Sequence, residues 1–366
     1  RPLRGGLRAV QALILAGGEG TRLRPLTHTV PKPVLPLAGR PHIAYVIDWL
    51  VRHGVDDVIV SCGHLAEGMR RAIAELEPGV EIRHAEEPDA RGTAGAIRFA
   101  EDMLGERFLV LNGDVLCDLD LTALIEQHER TGARATIALY PVDDPSGYGL
   151  CHRHEDGEIT EFLEKPKPEQ IDTDEINAGA YLLERSVLER IPPDRAVSIE
   201  REVFPELISD GLYGIRLEGY WIDIGTPERF LEANWDILER RVDTVTGERL
   251  DENGLLVEEG VEIGVPAALD GPAVIGARTE ISPGAQPRPP CVLGRNCRIR
   301  PGAILERSVL LDDCVVEDDA VVVNSILGSG VTVGVGAELD GDVIAEGDLV
   351  ERPGAAAERR ADESTS

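Results

Sequence analysis

Much that would assign this chain to other classes of work is missing from it. Only six of its 366 residues are cysteine (Cys62, Cys117, Cys151, Cys291, Cys297, Cys314), and none stands in CxxC spacing. That excludes a zinc ribbon and a disulfide framework, and leaves the thiols to act as small buried hydrophobes. No apolar run reaches the roughly 18 residues of a membrane span, and the opening RPLRGGLRAV has no signal-peptide hydrophobic region, so the expected location is the cytoplasm. Basic residues are outnumbered 37 to 67, and a formal net charge of −30 repels nucleic acid and anionic membranes outside any local basic cleft. No histidine occurs beyond His154. No GxxxxGK[ST] loop occurs either, and GEGTRL puts Leu23 where the dinucleotide fingerprint requires its third glycine.

What is present begins with LILAGGEGTRLRPLTHTVPKPVLPLAG, from Leu13 to Gly39. A short apolar strand breaks into Gly17, Gly18 and Gly20, where backbone can turn sharply and approach a ligand. Arg22, Arg24 and Lys32 follow at once. Bare amides and fixed cations at the carboxyl end of one strand make a site for a polyphosphate.

The chain then alternates. Ile43, Val46, Ile47, Leu50 and Val51 recur at helical spacing up to Gly54. A strand at 58–61, a helix at 64–77, a strand at 81–84, a helix at 93–103 and the strand FLVLNGD follow. Such alternation predicts an α/β fold with a doubly wound, mostly parallel sheet. Its ligands bind beyond the carboxyl ends of the strands, where Gly17–Arg22 and Asn112–Asp114 both fall. Further on, a helix at 121–131 and a strand at 135–140 lead into a hairpin-like region expected to form a lid. An amphipathic helix from 227 to about 240 closes the first domain, placed at 9–242 and followed by a linker at 243–256.

From Val257 the rhythm becomes a hexapeptide repeat, with aliphatic anchors at Val257, Ile263, Leu269, Ile275, Ile281, Leu293 and Ile299 and Pro287 in one slot. This predicts a C-terminal parallel β-helix over 257–350, ahead of a disordered tail at 351–366. The register shortens by one residue at Leu310 and again at Leu327. Cys297 and Cys314 should therefore stack inward on one face, as should Ala303, Ala320 and Ala337, and likewise Leu305, Val322 and Leu339.

In order along the chain, the glycine loop with TRLRP and PKP, then EEP before GTAG, VLNGDV, EKP, NAG, SIEREVFP and WIDIG, resembles the sugar nucleotidyltransferases. The resemblance spans nearly the whole chain, and within the family it is greatest to the mannose-1-phosphate guanylyltransferases. It implies a left-handed hand for the β-helix and the following roles. Leu15, Ala16, Gly17, Gly18, Gly20, Thr21, Arg22, Glu86, Glu87, Gly92 and Thr93 would bind the nucleotide, with Lys32 also on its triphosphate. Tyr148, Gly149, Glu164, Asn177 and Gly179 would hold the sugar, and Lys165 its phosphate. Asp114 and Asp223 would hold Mg²⁺. Arg22, Lys32, Asp114, Lys165 and Asp223 would carry catalysis. PDAR, at 88–91, makes the spacing before GTAG two residues longer than the family's, which leaves open whether Glu86 or Glu87 faces the base.

The chemistry asks for these residue types. A sugar phosphate oxygen must attack the α-phosphorus of a nucleoside triphosphate and expel pyrophosphate. Each pair of like charges at 4 Å costs about 4 kcal/mol at an effective dielectric of 20, so cations are required. A monoester with a second pKa near 6 is already ionised, so no general base is needed. A carboxylate suits guanine's adjacent N1–H and 2-amino donors. With what the resemblance implies, the expected reaction is transfer of GMP from GTP to mannose 1-phosphate by a homo-oligomer associated through its β-helix. A thymidylyl-, uridylyl- or adenylyltransferase acting on glucose 1-phosphate, or a non-catalytic subunit of the same fold, is the alternative. A fused acyltransferase would need a histidine in the β-helix, which has none. Taken singly, each residue also has a plain structural use: Asp114 as a turn acid, Glu164 and Lys165 as a surface pair. Only their order and joint presence point to the site.

Overall fold

The strand Gln11–Leu15 alternates Ala12 and Ile14 toward one face with Leu13 toward the other, and all three are fully buried. Two cores form on it accordingly. Helices His42–Arg52, Ala66–Leu76 and Leu121–Thr131 bury Ile47, Leu50, Met69, Ile73 and Leu124 against Ala12 and Ile14. Helix Gly92–Phe99 and the segment after Val197 bury Ala94, Ile97, Phe204 and Leu207 against Leu13. The computed structural model describes residues 10–352 apart from 64, 77, 267 and 268. The expected tail, from 353 on, and the lead-in lie outside the described residues.

Packing divides the chain into two units: 10–19, 32–34 and 43–223 in the first, and 20–31, 35–42 and 224–352 in the second. In the first, a nine-stranded sheet runs in the order 159–164, 149–153, 175–184, 107–112, 11–15, 57–62, 81–86, with 135–141 joining 175–184 to 212–216. Gln11–Leu15 pairs in parallel with both Asp57–Cys62 and Arg107–Asn112, as doubly wound alternation requires. The strands Gly149–Arg153 and Ile159–Glu164 are an antiparallel hairpin, but they extend the edge of this sheet instead of forming a separate lid.

Local chemistry explains where the helices stop. Helix Leu121–Thr131 starts on the Asp120 carboxylate, which accepts from the Thr122 and Ala123 amides, and ends at Gly132 in the left-handed conformation (φ 64°). The helix expected at 93–103 instead stops at Phe99 and resumes as a single 3₁₀ turn, Glu101–Met103. Val51, read as a core position, is 41% exposed.

The second unit is a parallel β-helix, left-handed as the resemblance implies. Val292 pairs with Val309 and Leu310 with Leu327, so successive coils are offset by 17 residues there, against 18 from Val274 to Val292. Cys297 and Cys314 are consequently stacked and fully buried, and each thiol donates 3.2 Å to the carbonyl of the coil above, that of Leu311 or of Gly328. Ala303, Ala320 and Ala337 form a second inward stack, and Leu305, Val322 and Leu339 a third. All six cysteines are free and buried, and burial pushes the Cys62 thiol up to about 11 and that of Cys291 to about 12.

The first coil departs from the expected repeat. Val257 and Ile263 are 42% and 41% exposed, because they sit on the first coil where the sheets end. Glycines after the anchors answer to close approach between coils and not to a turn: a Cβ on Gly276 would lie 2.5 Å from the Gly294 backbone, and one on Gly294 2.5 Å from that of Leu311. The helix Pro227–Leu238 packs on strands Gln286–Leu293 and Ile304–Leu310. Buried Asn234 accepts 2.7 Å from the Ala38 amide and donates 2.7 Å to the Phe230 carbonyl. The expected linker 243–256 contains a further helix, Val245–Arg249, and the start of strand Leu255–Val257.

Candidate active site

The ends of four strands, 11–15, 57–62, 81–86 and 107–112, border a cavity of about 620 Å³ in the first unit, with Leu15, Ala16, Gly17, Gly18, Lys32, Glu87, Gly92, Thr93 and Asp114 on its walls. The Gly113 amide donates 2.9 Å to the Leu15 carbonyl, and a Cβ on Gly113 would stand 2.7 Å from that oxygen. Glycine there lets the NGD turn close against the glycine loop. Around Gly18 the space for a side chain is open, and at Gly17 a Cβ would meet no side chain but Glu87, 3.4 Å away. Neither position is glycine because of packing in the fold, which fits a backbone kept bare for a ligand.

Of the two glutamates, Glu87 lines the cavity while Glu86 turns outward to an ion pair with Arg70. Glu87 is 9% exposed, and Ser61 donates to its Oε1 at 2.6 Å. The Thr93 hydroxyl, assigned to the nucleotide, is already engaged: it donates 2.8 Å to Glu200 and accepts 2.9 Å from the Ile199 amide. Gly20, Thr21 and Arg22 belong to the segment 20–31 of the second unit. Gly20 takes φ 62° to begin the turn Thr21–Leu23, and the Arg22 side chain is exposed.

Lys32 is the centre of charge in the first unit. Its ammonium, on a side chain only 8% exposed, lies 2.7 Å from Asp114 Oδ2 and 3.8 Å from Asp223 Oδ1. Backbone pairing brings the carboxylates together, since Asp223 is in register with Val115, next to Asp114. Asp223 Oδ1 is buried and accepts no hydrogen bond. Among the described residues no group of three or more His, Cys, Asp or Glu side chains could hold a metal. Two carboxylates are nevertheless the usual protein complement for Mg²⁺, which takes its remaining ligands from water and substrate phosphates. A buried carboxylate oxygen beside an ammonium fits that role.

The residues expected on the sugar side lie on or beside the neighbouring strands 159–164, 149–153 and 175–184. Glu164 is in register with Gly149, and the Lys165 amide donates 2.9 Å to the Tyr148 carbonyl, so EKP and YGL meet. Tyr148 meets the Trp221 ring edge-on at 5.2 Å, and Trp221 donates 2.8 Å to the Ala178 carbonyl within NAG. Asn177 accepts 2.9 Å from the Gly179 amide and donates 2.9 Å to the Tyr181 hydroxyl. Gly179 has φ 76°, and a Cβ there would sit 2.7 Å from Asn112 Nδ2. Asn112 also lines the cavity, so NAG and NGD are in contact. Burial, then repulsion from Glu200, holds the Glu164 carboxyl above its ordinary range, while Lys165 and Arg201 pull it down. Glu200, within SIEREVFP, is a further residue of the site that its motif alone does not mark.

Against known proteins, residues 11–240 match the model of the family described as nucleotidyl transferase, and 269–352 that described as GMPPB C-terminal domain. A mannose-1-phosphate guanylyltransferase of Mycobacterium tuberculosis is 37% identical over 81% of this chain and 83% of its own. A UTP--glucose-1-phosphate uridylyltransferase of Synechocystis is 33% identical, covering 83% of each chain. The crystal structure of HddC from Yersinia pseudotuberculosis complexed with GMP-PN is 30% identical, with a TM-score of 0.55 over 62% of this chain and 99% of that one. No helix among the described residues is long and apolar enough to cross a membrane. A glycine-walled cavity, two carboxylates on one lysine and a family model reaching from the first strand to the helix after WIDIG agree: the chain belongs to the nucleotidyl transferase family, and its activity is nucleotidyl transfer to a sugar 1-phosphate.

Proposed function

We propose that the chain transfers GMP from GTP to mannose 1-phosphate and releases pyrophosphate. The observation that carries the choice of base is Glu87, a carboxylate on the cavity wall held by Ser61. An acceptor-only group matches the paired donors of guanine, whereas uracil and thymine offer one donor flanked by acceptors. The relatives named as guanylyltransferases support the same reading. Kinetic competition among the four nucleoside triphosphates, each with mannose and glucose 1-phosphates and read as pyrophosphate release, should favour GTP and mannose 1-phosphate. A preference for UTP with glucose 1-phosphate, which the Synechocystis relative makes the second reading, would overturn the specificity.

In this reading the bare backbone of Gly17 and Gly18 takes the triphosphate, and Lys32 neutralises it. Asp114 and Asp223 would hold Mg²⁺, which supplies charge neutralisation between phosphate oxygens. Glu164 and Asn177 orient the sugar, and positioning supplies most of the rate. Lys165, exposed and held at φ 53° just after Glu164, receives the monoester. Lys165→Ala should raise the KM for sugar 1-phosphate roughly tenfold to a hundredfold, the worth of a charge-assisted hydrogen bond. A rise in the nucleotide KM alone would show that the lysine is misassigned.

A further inference from the structure

One segment touches both halves of the site. Val197 accepts from the Ala94 and Gly95 amides at 2.9 and 3.2 Å, and so caps the start of helix Gly92–Phe99 at the nucleotide cavity. Its own amide donates 2.8 Å to the Arg91 carbonyl. Two residues on, the π-helical turn Ile199–Val203 packs against that helix and also against the strand Ile159–Glu164 that ends in the sugar glutamate. Phe204 then meets Phe162 at 5.4 Å and Tyr181 at 5.1 Å, and Tyr181 is the residue that Asn177 hydrogen-bonds. Within the turn, Glu200 Oε2 accepts from Thr93 Oγ1 at 2.8 Å and from Ser198 Oγ at 2.6 Å.

We propose that Glu200 is a positioning residue that ties the GTAG loop of the nucleotide cavity to Glu164 on the sugar side, so that the two subsites hold their geometry together. The proposal rests on the sugar nucleotidyltransferase reading and leaves base and sugar free. Its two parts are separable. The hydrogen bonds to Thr93 and Ser198 hold the loop, and the negative charge acts on Glu164. Around Glu164 the charged neighbours are Glu200, Lys165 and Arg201, and the Tyr181 phenol and Cys151 thiol, both kept neutral by burial, lie within electrostatic reach. Repulsion from Glu200 raises the Glu164 carboxyl. Removing that charge lowers it, and the pH below which Glu164 loses its acceptor role moves down.

Two variants test this with whichever substrate pair the wild type turns over. Glu200→Ala loses both hydrogen bonds and should raise the KM for nucleoside triphosphate and for sugar 1-phosphate together, each roughly tenfold. Glu200→Gln keeps an oxygen that can accept both bonds and deletes only the charge. Its readout is kcat/KM for the nucleotide sugar in pyrophosphorolysis, because that substrate has no phosphate monoester titrating near pH 6. The acid limb of Glu200→Gln should lie at lower pH than that of the wild type. An unmoved limb in Glu200→Gln, or a rise in only one KM in Glu200→Ala, overturns the proposal. Should Glu200→Ala fail to fold, the acid limb of Glu200→Gln decides alone. Turnover of a pair other than GTP and mannose 1-phosphate counts against the specificity reading only.

Discussion

Asp223→Ala is expected to lower turnover at saturating Mg²⁺ by at least about a thousandfold, since a cation held there would lower the barrier by several kcal/mol through charge neutralisation and Asp223 is assigned half of the protein's hold on it. The structural reason lies in the contacts. Asp223 Oδ1 is buried, accepts no hydrogen bond and lies 3.8 Å from the Lys32 ammonium. The strand Trp221–Asp223 is held by backbone pairing to Val115–Cys117, which alanine leaves in place. Melting temperature should therefore hold or rise while activity collapses. Near-normal kcat at saturating Mg²⁺, with circular dichroism unchanged, would sink the metal assignment.

The second large effect is expected at Gly92. Its φ is 71°, and a Cβ there would stand 2.6 Å from the Val197 carbonyl oxygen, the atom that caps the helix at the cavity. Gly92→Ala must accept a left-handed alanine, at about 1 kcal/mol, and also push back a backbone carbonyl, at roughly 1–3 kcal/mol more. The cap and the cavity wall move with it, so the nucleotide KM should rise about a hundredfold, which is the cost of displacing a positioned site by about 1 Å. Gly79 separates the two causes: it has φ 69° and open space where its Cβ would be. Gly79→Ala carries the backbone strain alone. If the two variants lose the same stability and Gly92→Ala binds nucleotide normally, the clash is not what matters.

What the sequence could show and what it could not follows from distance along the chain. Helix Leu121–Thr131 was readable to the residue because Asp120 and Gly132 are local signals. The stacks of Cys297 on Cys314 and of Ala303, Ala320 and Ala337 were readable because a repeat turns coil-to-coil contact into arithmetic along the chain. Lys32, Asp114 and Asp223 were marked by motif, and the fold brings them within one ion-pair radius. The clamp of 197–200 on 91–95 has no such signal: GTAG and SIEREVFP were both noticed, but nothing in either says that they touch. Glu86 and Glu87 could not be told apart either, since adjacent residues on a strand point to opposite sides and the faces are set by packing. Arg70, outside every motif, takes one of them.

The β-helix limits how this part of the chain can change in length. Between Val292, Val309 and Ile326 each residue has an equivalent 17 positions later, with the same inward or outward sense and the same inter-coil hydrogen bonds. Excision of 297–313 would join Asn296 to Cys314, the equivalent of Cys297, and the stack would close with its faces in phase. A deletion of one residue in a strand would invert every side chain up to the next corner. The tolerated unit of insertion and deletion is therefore the whole coil, and lengths of this unit among related chains should differ in steps near 17 or 18, with smaller differences confined to the corners.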